Sequence, residues 1–476
     1  MDRRSCLSCR NQETTEKRIY PVPNQTQEEE ARLSLTTGLQ VWPFLRPFLL
    51  GPYRLPDSLT HREVVARLGR LVRSHYPYLT PKGIRWEEAE TSALAMADRT
   101  TDETALARVL ADLLAVLRDG HATVSHDSLW TSFGYTPGLL LRSVGGRVYV
   151  DRLAPGVTPA PASDGHPPRE LPPPGAEVLT VNGRPVSEAL AAAPAFLTAA
   201  YPETTRQRLH EEYALVGPKG TEVRLGWRDQ DSQGGDRPET VVLRDYGRYW
   251  FYPSGEAIAA RLIEDGPLPV GYIRVPSFYD GRRGRVLRAQ FTEALARVRN
   301  SPAMVIDVRG NGGGMSLLAE WVAAHFLGVR VRYASFRCPD GRAISLHVRG
   351  RRDAYGGPLI LLTDENTGSS AEGAFALPLR RHRPRTWTVG RPTCGNAGNP
   401  ICVYRYRGIV VRFPGAALVE PDGRTDLELT GLAPDLPVEA GVEDLRSGSD
   451  PDLREALRVL GEVLESEGEP RPPRKE

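Results

Sequence analysis

The chain has 476 residues and a mass of 52.4 kDa, enough for about three average domains. Hydrophobic residues make up 40% and charged residues 25%, and the mean hydropathy is -0.36, which excludes a membrane-embedded bundle and a wholly disordered chain. The 61 Lys and Arg residues are balanced by 59 Asp and Glu residues, so the chain lacks the excess of positive charge that nucleic-acid binding usually needs.

Residues 1–32 are polar and are predicted to form a loose N-terminal segment. They contain no apolar stretch typical of a signal peptide, so the sequence as it stands leaves the cellular location unknown. The five cysteines of the chain are too few and too scattered for a disulfide framework. The lone pair Cys6 and Cys9 lacks the second pair of a zinc ribbon. We therefore predict neither a metal site nor another cofactor.

A helical region is predicted over residues 33–130. Its clearest helix carries leucine and valine at helical spacing over residues 106–117. This helix should end near Gly120, because glycine commonly follows a helix end. His121 would then lie just beyond a helix, at the start of the next segment.

Residues 131–245 are predicted to form a β-rich module. Short alternating runs indicate strands at 139–141, 147–150, 177–181 and 222–225. Asn182-Gly183 predicts a tight turn after the third of these strands, and the proline-rich residues 153–174 predict a loop. The run Pro174–Val186 is similar to the strand and turn signature of PDZ domains, so we interpret the module as a PDZ-like insert.

Strands and helices alternate from residue 246 to residue 464, which is the pattern of an α/β domain. Predicted strands cover 270–275, 303–308 and 358–363, and predicted helices cover 286–298 and 317–326. The strand 303–308 is apolar throughout, which is typical of a strand covered on both faces of a sheet. The predicted fold class is therefore α/β. Residues 465–476 are charged and contain several prolines, and they are predicted to be a disordered tail.

Two junctions between a buried strand and a helix are suited to hold negative charge, because backbone N–H groups at a helix start are unpaired. The first is Asp307–Gly314, whose glycines let backbone amides approach a ligand without obstruction by Cβ atoms. It lacks the Gly-Lys-Ser/Thr ending of a phosphate loop. The second is Thr363–Glu372, in which Thr367, Ser369 and Ser370 are N-cap candidates and a serine can equally be a nucleophile. The order of residues alone leaves that choice open.

A serine nucleophile needs a base to take its proton. Lysine is scarce, because 57 of the 61 cationic residues are arginine and no lysine lies between residues 220 and 474. The internal lysines are Lys82, in a loop-like Thr-Pro-Lys-Gly segment, and Lys219, in the PDZ-like module, which argues against a Ser-Lys pair. His121 is the histidine placed directly after a helix. A lone histidine is more often a surface or hydrogen-bonded core residue, so its role stays open at this point.

Several blocks, in this order along the chain, resemble the C-terminal processing or tail-specific serine peptidases and the related tricorn core and interphotoreceptor-retinoid-binding-protein group. The matching blocks are 117–124, 271–275, 305–314, 369–372, 390–393 and 431–435. The resemblance extends over roughly residues 60–465. It implies a Clp/crotonase-like catalytic domain, a PDZ-like insert and serine peptidase activity.

The resemblance also implies roles for individual residues. The family's nucleophile stands three residues before the glutamate of the following helix, which makes it Ser369 here. Its oxyanion hole would use the amide of Ser370 and one amide of the glycine run, that of Gly313. In the Ser-Lys branch the Gly-x-Pro-Thr-x-Gly block ends in the catalytic lysine, but this chain has Asn396 there. The chain therefore departs from the Ser-Lys branch.

The tricorn-like branch uses a histidine as the base and a glutamate that orients it. The matching positions are His121 and Glu428, so the resemblance implies a Ser369–His121–Glu428 triad. Tricorn also has a serine directly before its histidine, where this chain has Gly120. An auxiliary hydroxyl is therefore not expected here.

Two other functions fit parts of the sequence. Retinoid-binding relatives use this fold to bind hydrophobic ligands, and the PDZ-like module alone would bind peptide tails without cleaving them. An acyl-CoA enzyme of the crotonase type would share the oxyanion architecture but leaves the peptidase-specific blocks unexplained. The sequence therefore favours a serine peptidase that acts on polypeptides, without nucleic acid or a membrane span, and it leaves the oligomeric state unknown.

Overall fold

The computed structural model describes residues 53–153, 171–229, 239–243, 257–264, 266, 269–280, 284–399, 401–424 and 426–468. The predicted segment 1–32 with its cysteine pair, and most of the predicted loop 153–174, lie outside the described residues. No described helix is both long and apolar enough to cross a membrane.

Helices form most of the N-terminal region and share one core. Its elements are β1 (Tyr53–Arg54), α1 (His61–His75), α2 (Trp86–Ala97), α3 (Glu103–Ala115), β2 (Thr123–Ser125) and α4 (Asp127–Phe133). Helix α1 begins at a capping box, in which Thr60 and Glu63 exchange hydrogen bonds. The apolar faces of α1 and α3 pack into a single cluster, so the helical spacing in the sequence predicted the buried face of α3 correctly.

Helix α3 ends earlier than predicted. It stops at Ala115 instead of near Gly120, and the chain turns where Arg118 adopts a left-handed φ of 46°. The turn places the Asp119 side chain inside the protein, where it is buried. His121 is therefore carried by a loop whose shape depends on a buried charge.

The middle region is a β-rich module with two helices. Its elements are β3 (Leu139–Val144), β4 (Arg147–Leu153), β5 (Glu177–Val181), β6 (Arg184–Pro185), α5 (Val186–Ala191), α6 (Glu203–Tyr213), β7 (Val223–Arg228) and β8 (Glu239–Leu243). The strands pair in the order β3-β4-β5-β7-β8, with β6 beside β5. The four predicted strands are present, and Asn182-Gly183 joins β5 to β6 with left-handed φ angles of 51° and 79°. The module has an apolar core of its own.

The third region is built on a six-stranded sheet with helices on both faces. Its strands are β9 (Ala259–Ile263), β10 (Val270–Arg274), β11 (Ala303–Asp307), β12 (Val331–Arg337), β13 (Ala343–Val348), β14 (Leu359–Thr363), β15 (Thr386–Gly390), β16 (Ile401–Tyr406), β17 (Ile409–Pro414), β18 (Ala417–Val419) and β19 (Leu436–Pro437). Its helices are α7 (Arg285–Val298), α8 (Ser316–Ala323), α9 (Leu377–His382), α10 (Asp426–Thr430), α11 (Val442–Ser447) and α12 (Pro451–Gly468). The sheet order is β19-β15-β14-β11-β10-β9, and β9 alone among these six strands is antiparallel to its neighbour. The predicted α/β fold class is confirmed.

Strand β11 explains why this region folds around a parallel sheet. Every residue from Ala303 to Asp307 is buried. Met304 and Ile306 pack with α7 and α8, whereas Ala303 and Val305 pack against α12. The apolar run therefore serves two cores, as predicted. Because β11 and β14 are parallel neighbours, the loops that follow them meet at one edge of the sheet.

The N-terminal and third regions share a four-stranded sheet. Its order is β1-β16-β17-β2, with β2 antiparallel to β17. The strand that follows His121 is thereby attached to the third region, although the predicted boundary at residue 130 assigns it to a separate region. This pairing brings His121 close to the loop that follows β14.

The C-terminal helix is longer than predicted. Helix α12 continues to Gly468, and Leu464 in its last turns packs on the six-stranded sheet. Residues 465–468 of the predicted disordered tail are therefore helical. The rest of that tail, residues 469–476, lies outside the described residues.

Candidate active site

Ser369 lies in a loop tied to the carboxyl ends of two parallel strands. The loop follows β14 and leads into a buried helical turn. Thr367 Oγ1 donates a hydrogen bond of 2.9 Å to the Val308 carbonyl. Gly368 N–H donates one of 3.0 Å to the Asn311 carbonyl. These bonds join the two junctions that the sequence singled out.

The backbone at Ser369 is strained. Its φ is 54°, in the left-handed region that residues other than glycine seldom adopt. Two hydrogen bonds hold this conformation: Ser369 N–H donates to Glu372 Oε1 at 3.1 Å, and Gly373 N–H donates to the Ser369 carbonyl at 2.8 Å. A strained residue held by its surroundings is common at functional sites.

Gly313 lies against the backbone of Ser369 and Ser370. A Cβ atom on Gly313 would lie 2.6 Å from Ser369 Cβ and 2.9 Å from the Ser370 nitrogen, and its φ is 98°. Only glycine tolerates this close approach. The Gly313 N–H donates a hydrogen bond of 2.9 Å to Asn311 Oδ1, so it must share or exchange that bond to reach an oxyanion. Gly313 and Ser370 lie next to each other in space, and the use of their amides as an oxyanion hole stays a prediction.

His121 meets Ser369 directly. Its Nε2 lies 3.1 Å from Ser369 Oγ, within hydrogen-bond distance, although the residues are 248 positions apart in the chain. A serine nucleophile and its base must lie within hydrogen-bond distance of each other, and these two atoms do. The structure therefore brings the predicted base to the predicted nucleophile.

Two side chains fix the loop that carries His121. The His121 N–H donates to Asp119 Oδ1 at 2.9 Å and to Asn396 Oδ1 at 3.2 Å. Asn396 occupies the position at which the Ser-Lys branch has its lysine. A Cβ atom on Gly120 would lie 2.8 Å from Asn396 Nδ2. A larger residue at position 120 would therefore require the Asn396 side chain to shift.

The other ring nitrogen, His121 Nδ1, is shielded from solvent and makes no well-formed hydrogen bond among the described residues. Burial lowers the pKa of His121 below its ordinary value, whereas the Asp119 carboxylate and the Gly398 backbone oppose the shift and Lys82 adds to it. The lowered pKa favours a neutral imidazole at neutral pH. A neutral ring is able to accept a proton from Ser369.

Glu428 lies behind the Ser369–His121 pair and makes no hydrogen bond to His121. Its Oε2 accepts hydrogen bonds from the amides of Ala397 and Gly398 at 2.8 and 3.1 Å. Its Oε1 accepts one from Lys82 Nζ at 2.7 Å. The hydrogen bond by which this carboxylate was expected to orient the imidazole is therefore not present. Glu428 instead holds the backbone at Gly398, whose proximity to the ring opposes the fall in its pKa.

The sequence did not predict that Lys82 is buried beside the site. Its side chain is fully buried and lies 2.7 Å from Glu428 Oε1 and 3.5 Å from Asp119 Oδ2. Burial raises the pKa of Glu428 and Asp119 raises it further, whereas Lys82 opposes both effects. A lysine in a turn gives no sign of burial, because lysine is almost never fully buried without a partner. Here the closer partner lies 346 positions away.

Glu372 is a second residue to which the sequence assigned no role. Its buried carboxylate accepts hydrogen bonds from the amides of Ser369, Asn396 and Gly395 and from Thr393 Oγ1, at 3.1, 2.6, 2.9 and 2.5 Å. One oxygen, Oε1, binds both the Ser369 and the Asn396 amides and so links the two loops of the site. Burial raises the pKa of Glu372 to about 7, against the effect of these bonds.

The site consists of hydrogen-bonding groups and the buried ion cluster of Lys82, Asp119 and Glu428. Within the described ranges, no three His, Cys, Asp or Glu side chains are grouped as a metal site requires.

Residues 269–438 match peptidase family S41. The match begins at β10 and ends just after β19, so it includes the parallel sheet and the loops that follow β11 and β14. Ser369 and Glu428 lie inside it, whereas His121 lies far upstream. The matched segment thus contains the predicted nucleophile but not the predicted base.

Two tricorn proteins are similar to a larger part of the chain. Tricorn protease homolog 2 of Streptomyces coelicolor is 28% identical over 454 residues, which cover 91% of this chain and 34% of that protein. The tricorn protease of Thermoplasma acidophilum is 24% identical over 270 residues, which cover 55% of this chain and 23% of that protein. The chain therefore spans about a third or less of the length of these curated relatives.

A solved structure extends the comparison to the fold. Mature CPAF, solved in complex with lactacystin, has a TM-score of 0.65 and 16% identity, with 85% of this chain and 98% of the CPAF chain covered. At this identity the likeness concerns the fold alone. The predicted resemblance to the tail-specific and tricorn-like peptidases is confirmed: residues 269–438 match peptidase family S41, and the chain is similar to tricorn proteins.

Proposed function

We propose that this chain is a serine peptidase that hydrolyses peptide bonds in polypeptide substrates, with Ser369 as the nucleophile and His121 as the base. The observation that carries the proposal is the 3.1 Å separation of Ser369 Oγ and His121 Nε2. A serine beside a histidine that is kept neutral by burial is an activated nucleophile. The match to peptidase family S41 supports the same activity.

The reaction begins at this pair. His121 Nε2 takes the proton of Ser369 Oγ, and the oxygen attacks the carbonyl carbon of the scissile bond. The carbonyl oxygen becomes an oxyanion, which is stabilised by the amide of Ser370 and one amide of the glycine run, that of Gly313. The imidazolium then gives its proton to the leaving amine. Water attacks the acyl-enzyme in the same way and regenerates Ser369.

The charges around His121 suit both of its protonation states. Burial favours the neutral ring before the reaction, and the Asp119 carboxylate stabilises the positive charge once the ring is protonated. Glu428 acts one step further back, because it fixes the amides of Ala397 and Gly398 beside the ring. In this proposal the third member of the triad works through the backbone.

Two finer points of fold belong to the same proposal. A parallel sheet with amide-rich loops at its carboxyl edge supports a Clp/crotonase-like catalytic domain. The β-rich module within residues 131–245 supports a PDZ-like domain that would bind an extended polypeptide. Asn366 Nδ2 donates a hydrogen bond of 2.5 Å to Glu212 Oε1 in α6, so this module contacts the loop that carries Ser369. Such a contact suits a module that delivers substrate to the nucleophile.

The test combines labelling by a fluorophosphonate probe, which reacts with activated serines, and hydrolysis of fluorescently labelled casein. The wild-type protein should be labelled and should cleave casein, and Ser369→Ala should lose both properties. Ser345→Ala, at an exposed serine of β13, is the matched control and should behave as the wild type. Equal labelling of Ser369→Ala and the wild type would refute the assignment. A folded wild type with neither property would favour the ligand-binding alternatives.

A further inference from the structure

Lys82 lies at the centre of a buried charge cluster between α1 and α2. Its side chain has no exposure to solvent. Its Nζ donates hydrogen bonds to Glu428 Oε1 at 2.7 Å, to Tyr76 Oη at 3.0 Å and to the Arg118 carbonyl at 3.0 Å, and Asp119 Oδ2 lies 3.5 Å away. Three aromatic rings surround the ammonium group at 5.3 to 5.7 Å from their centres, those of Tyr76, Tyr78 and Tyr201.

The two carboxylates bound by Lys82 each support His121. Asp119 Oδ1 accepts the His121 N–H at 2.9 Å. Glu428 Oε2 accepts two amides of the Ala397-Gly398 segment, and this segment lies beside the imidazole. Among the described residues, Lys82 is the one cation that forms ion pairs with both carboxylates.

We propose that Lys82 is a positioning residue of this site, which holds Asp119 and Glu428 together in the protein interior and so fixes His121 relative to Ser369. The inference rests on the proposed function, because positioning matters only if His121 is the base. Lys82 is not itself the base. Its hydrogen bonds end on the two carboxylates, a tyrosine and backbone carbonyls, and none within the described part of the chain reaches Ser369.

Electrostatics explains why a cation is needed at this place. Two buried carboxylates lose their hydration and repel each other, so each tends to take up a proton. Burial alone would raise the pKa of Asp119, but the charge of Lys82, together with His121 and the hydrogen bond from Tyr76, outweighs burial and the pKa lies below its ordinary value. Removing one partner from such a cluster leaves an uncompensated buried charge. The loops attached to Asp119 and Glu428 would then shift to regain hydration.

The charges that act on His121 come from several segments. Asp119, two residues before it, raises its pKa, whereas Lys82, from the turn before α2, lowers it. Glu428 and Glu372 face backbone amides instead of the ring. Loss of the Lys82 charge should therefore raise the pKa of His121. Since the base must be neutral to act, the acid limb of the kcat/KM profile should move to higher pH.

The test compares Lys82→Met with Lys219→Met, which removes an exposed lysine of the middle module. Both are assayed for casein hydrolysis across pH and for their rate of labelling by the fluorophosphonate probe. Lys219→Met should match the wild type. Lys82→Met should lose about 10²-fold in kcat, the usual effect of misplacing a catalytic group. Its KM should change little, because the buried Lys82 does not face substrate, and its acid limb should move to higher pH.

A second variant keeps the test decisive if Lys82→Met does not fold. Lys82→Met/Glu428→Gln also removes the carboxylate left without its cation, so its thermal midpoint should lie closer to that of the wild type. This double variant should retain the shifted acid limb. Glu428→Gln alone should leave the acid limb near its wild-type position, because the Lys82 charge is still present.

The outcomes separate this inference from the proposed function. A wild type that is neither labelled nor able to cleave casein would refute the peptidase activity itself. A labelled and active wild type, with an unshifted acid limb in both Lys82 variants, would refute the positioning role and leave the peptidase intact. A loss of kcat that only follows the loss of folded protein, again with an unshifted acid limb, would also refute it.

Discussion

Ser369 and His121, the proposed nucleophile and base, are held in place by different kinds of contact. The loop of Ser369 is fixed by backbone and hydroxyl hydrogen bonds to the loop that follows the adjacent strand β11. The loop of His121 is fixed by Asp119 and Asn396, and behind them by Lys82 and Glu428, which form a buried ion pair across 346 positions of the chain. The loop of Ser369, called the nucleophile side below, therefore depends on backbone geometry. The loop of His121, called the base side, depends on buried charge.

This difference predicts two kinds of mutational effect. Changes on the nucleophile side should lower the rate at every pH, because they displace atoms without altering the charge around the imidazole. Changes on the base side should also alter the pH dependence, because they alter that charge.

The largest effect is expected for His121→Ala, which removes the base and leaves the nucleophile loop unchanged. The rate of casein hydrolysis and the rate of fluorophosphonate labelling should both fall by about 10⁴-fold or more, as for other residues of a catalytic triad. His75→Ala, at an exposed histidine near the end of α1, should have no effect. A His121→Ala protein that is labelled at the wild-type rate would mean that another group activates Ser369.

Gly313→Ala tests the nucleophile side. The added Cβ would lie 2.6 Å from Ser369 Cβ at a φ of 98°, so it should displace the oxyanion donors and lower kcat by about 10²- to 10³-fold. The acid limb should stay in place, because no charge changes. Gly341→Ala is the matched control: its φ of 86° is also left-handed, but no atom lies within 4 Å of the added Cβ. A shifted acid limb in Gly313→Ala would contradict the separation of the two sides.

The same difference decides how much the sequence predicted. The nucleophile side follows local patterns: an apolar strand, a glycine run and a serine before a buried helical turn. These patterns predicted the α/β fold and singled out the two loops, and the family resemblance then indicated Gly313 and Ser369 within them. The order of the blocks also indicated His121 and the family. The strand pairing that delivers His121 depends on β16 and β17, whose partners lie hundreds of residues earlier, so no local pattern predicts it.

The base side was predicted less completely for a physical reason. The resemblance indicated Glu428, but its contacts with Lys82 and with the amides of Ala397 and Gly398 depend on the burial of charge. Composition and spacing carry no information on which charges become buried together. The scarcity of lysine argued against a Ser-Lys pair, and nothing in the sequence indicated Lys82 as a structural partner.

Glu372→Gln tests the group that joins the two sides. The pKa of Glu372 in the folded protein is about 7, above the ordinary value of 4.5, so its titration favours folding fully below a pH of about 4.5 and ceases to do so as the pH rises through about 7. The free energy of unfolding of the wild type should therefore fall relative to that of Glu372→Gln across this range. Glu428 is present in both proteins, so its titration cancels in the comparison.

Activity of the same variant should fall by about tenfold, because the amide nitrogen of glutamine cannot accept the hydrogen bonds donated to the carboxylate. Thermal unfolding at several pH values and casein hydrolysis at pH 8 give the two results. A difference in stability that does not vary between pH 5 and pH 7 would show that Glu372 titrates elsewhere, and would remove the electrostatic part of its linking role.

The smallest effect is expected for Asn396→Ala. It removes one acceptor of the His121 N–H, at 3.2 Å, but the shorter bond to Asp119 Oδ1, at 2.9 Å, remains. A shared hydrogen bond to a neutral group contributes about 1 kcal/mol, so kcat should fall no more than about tenfold and the acid limb should not move. If kcat falls as far as in Lys82→Met, then the side-chain amide of Asn396, and not the charge cluster around Lys82, controls the position of His121. The base would then be held by neutral hydrogen bonds, in the same way as the nucleophile.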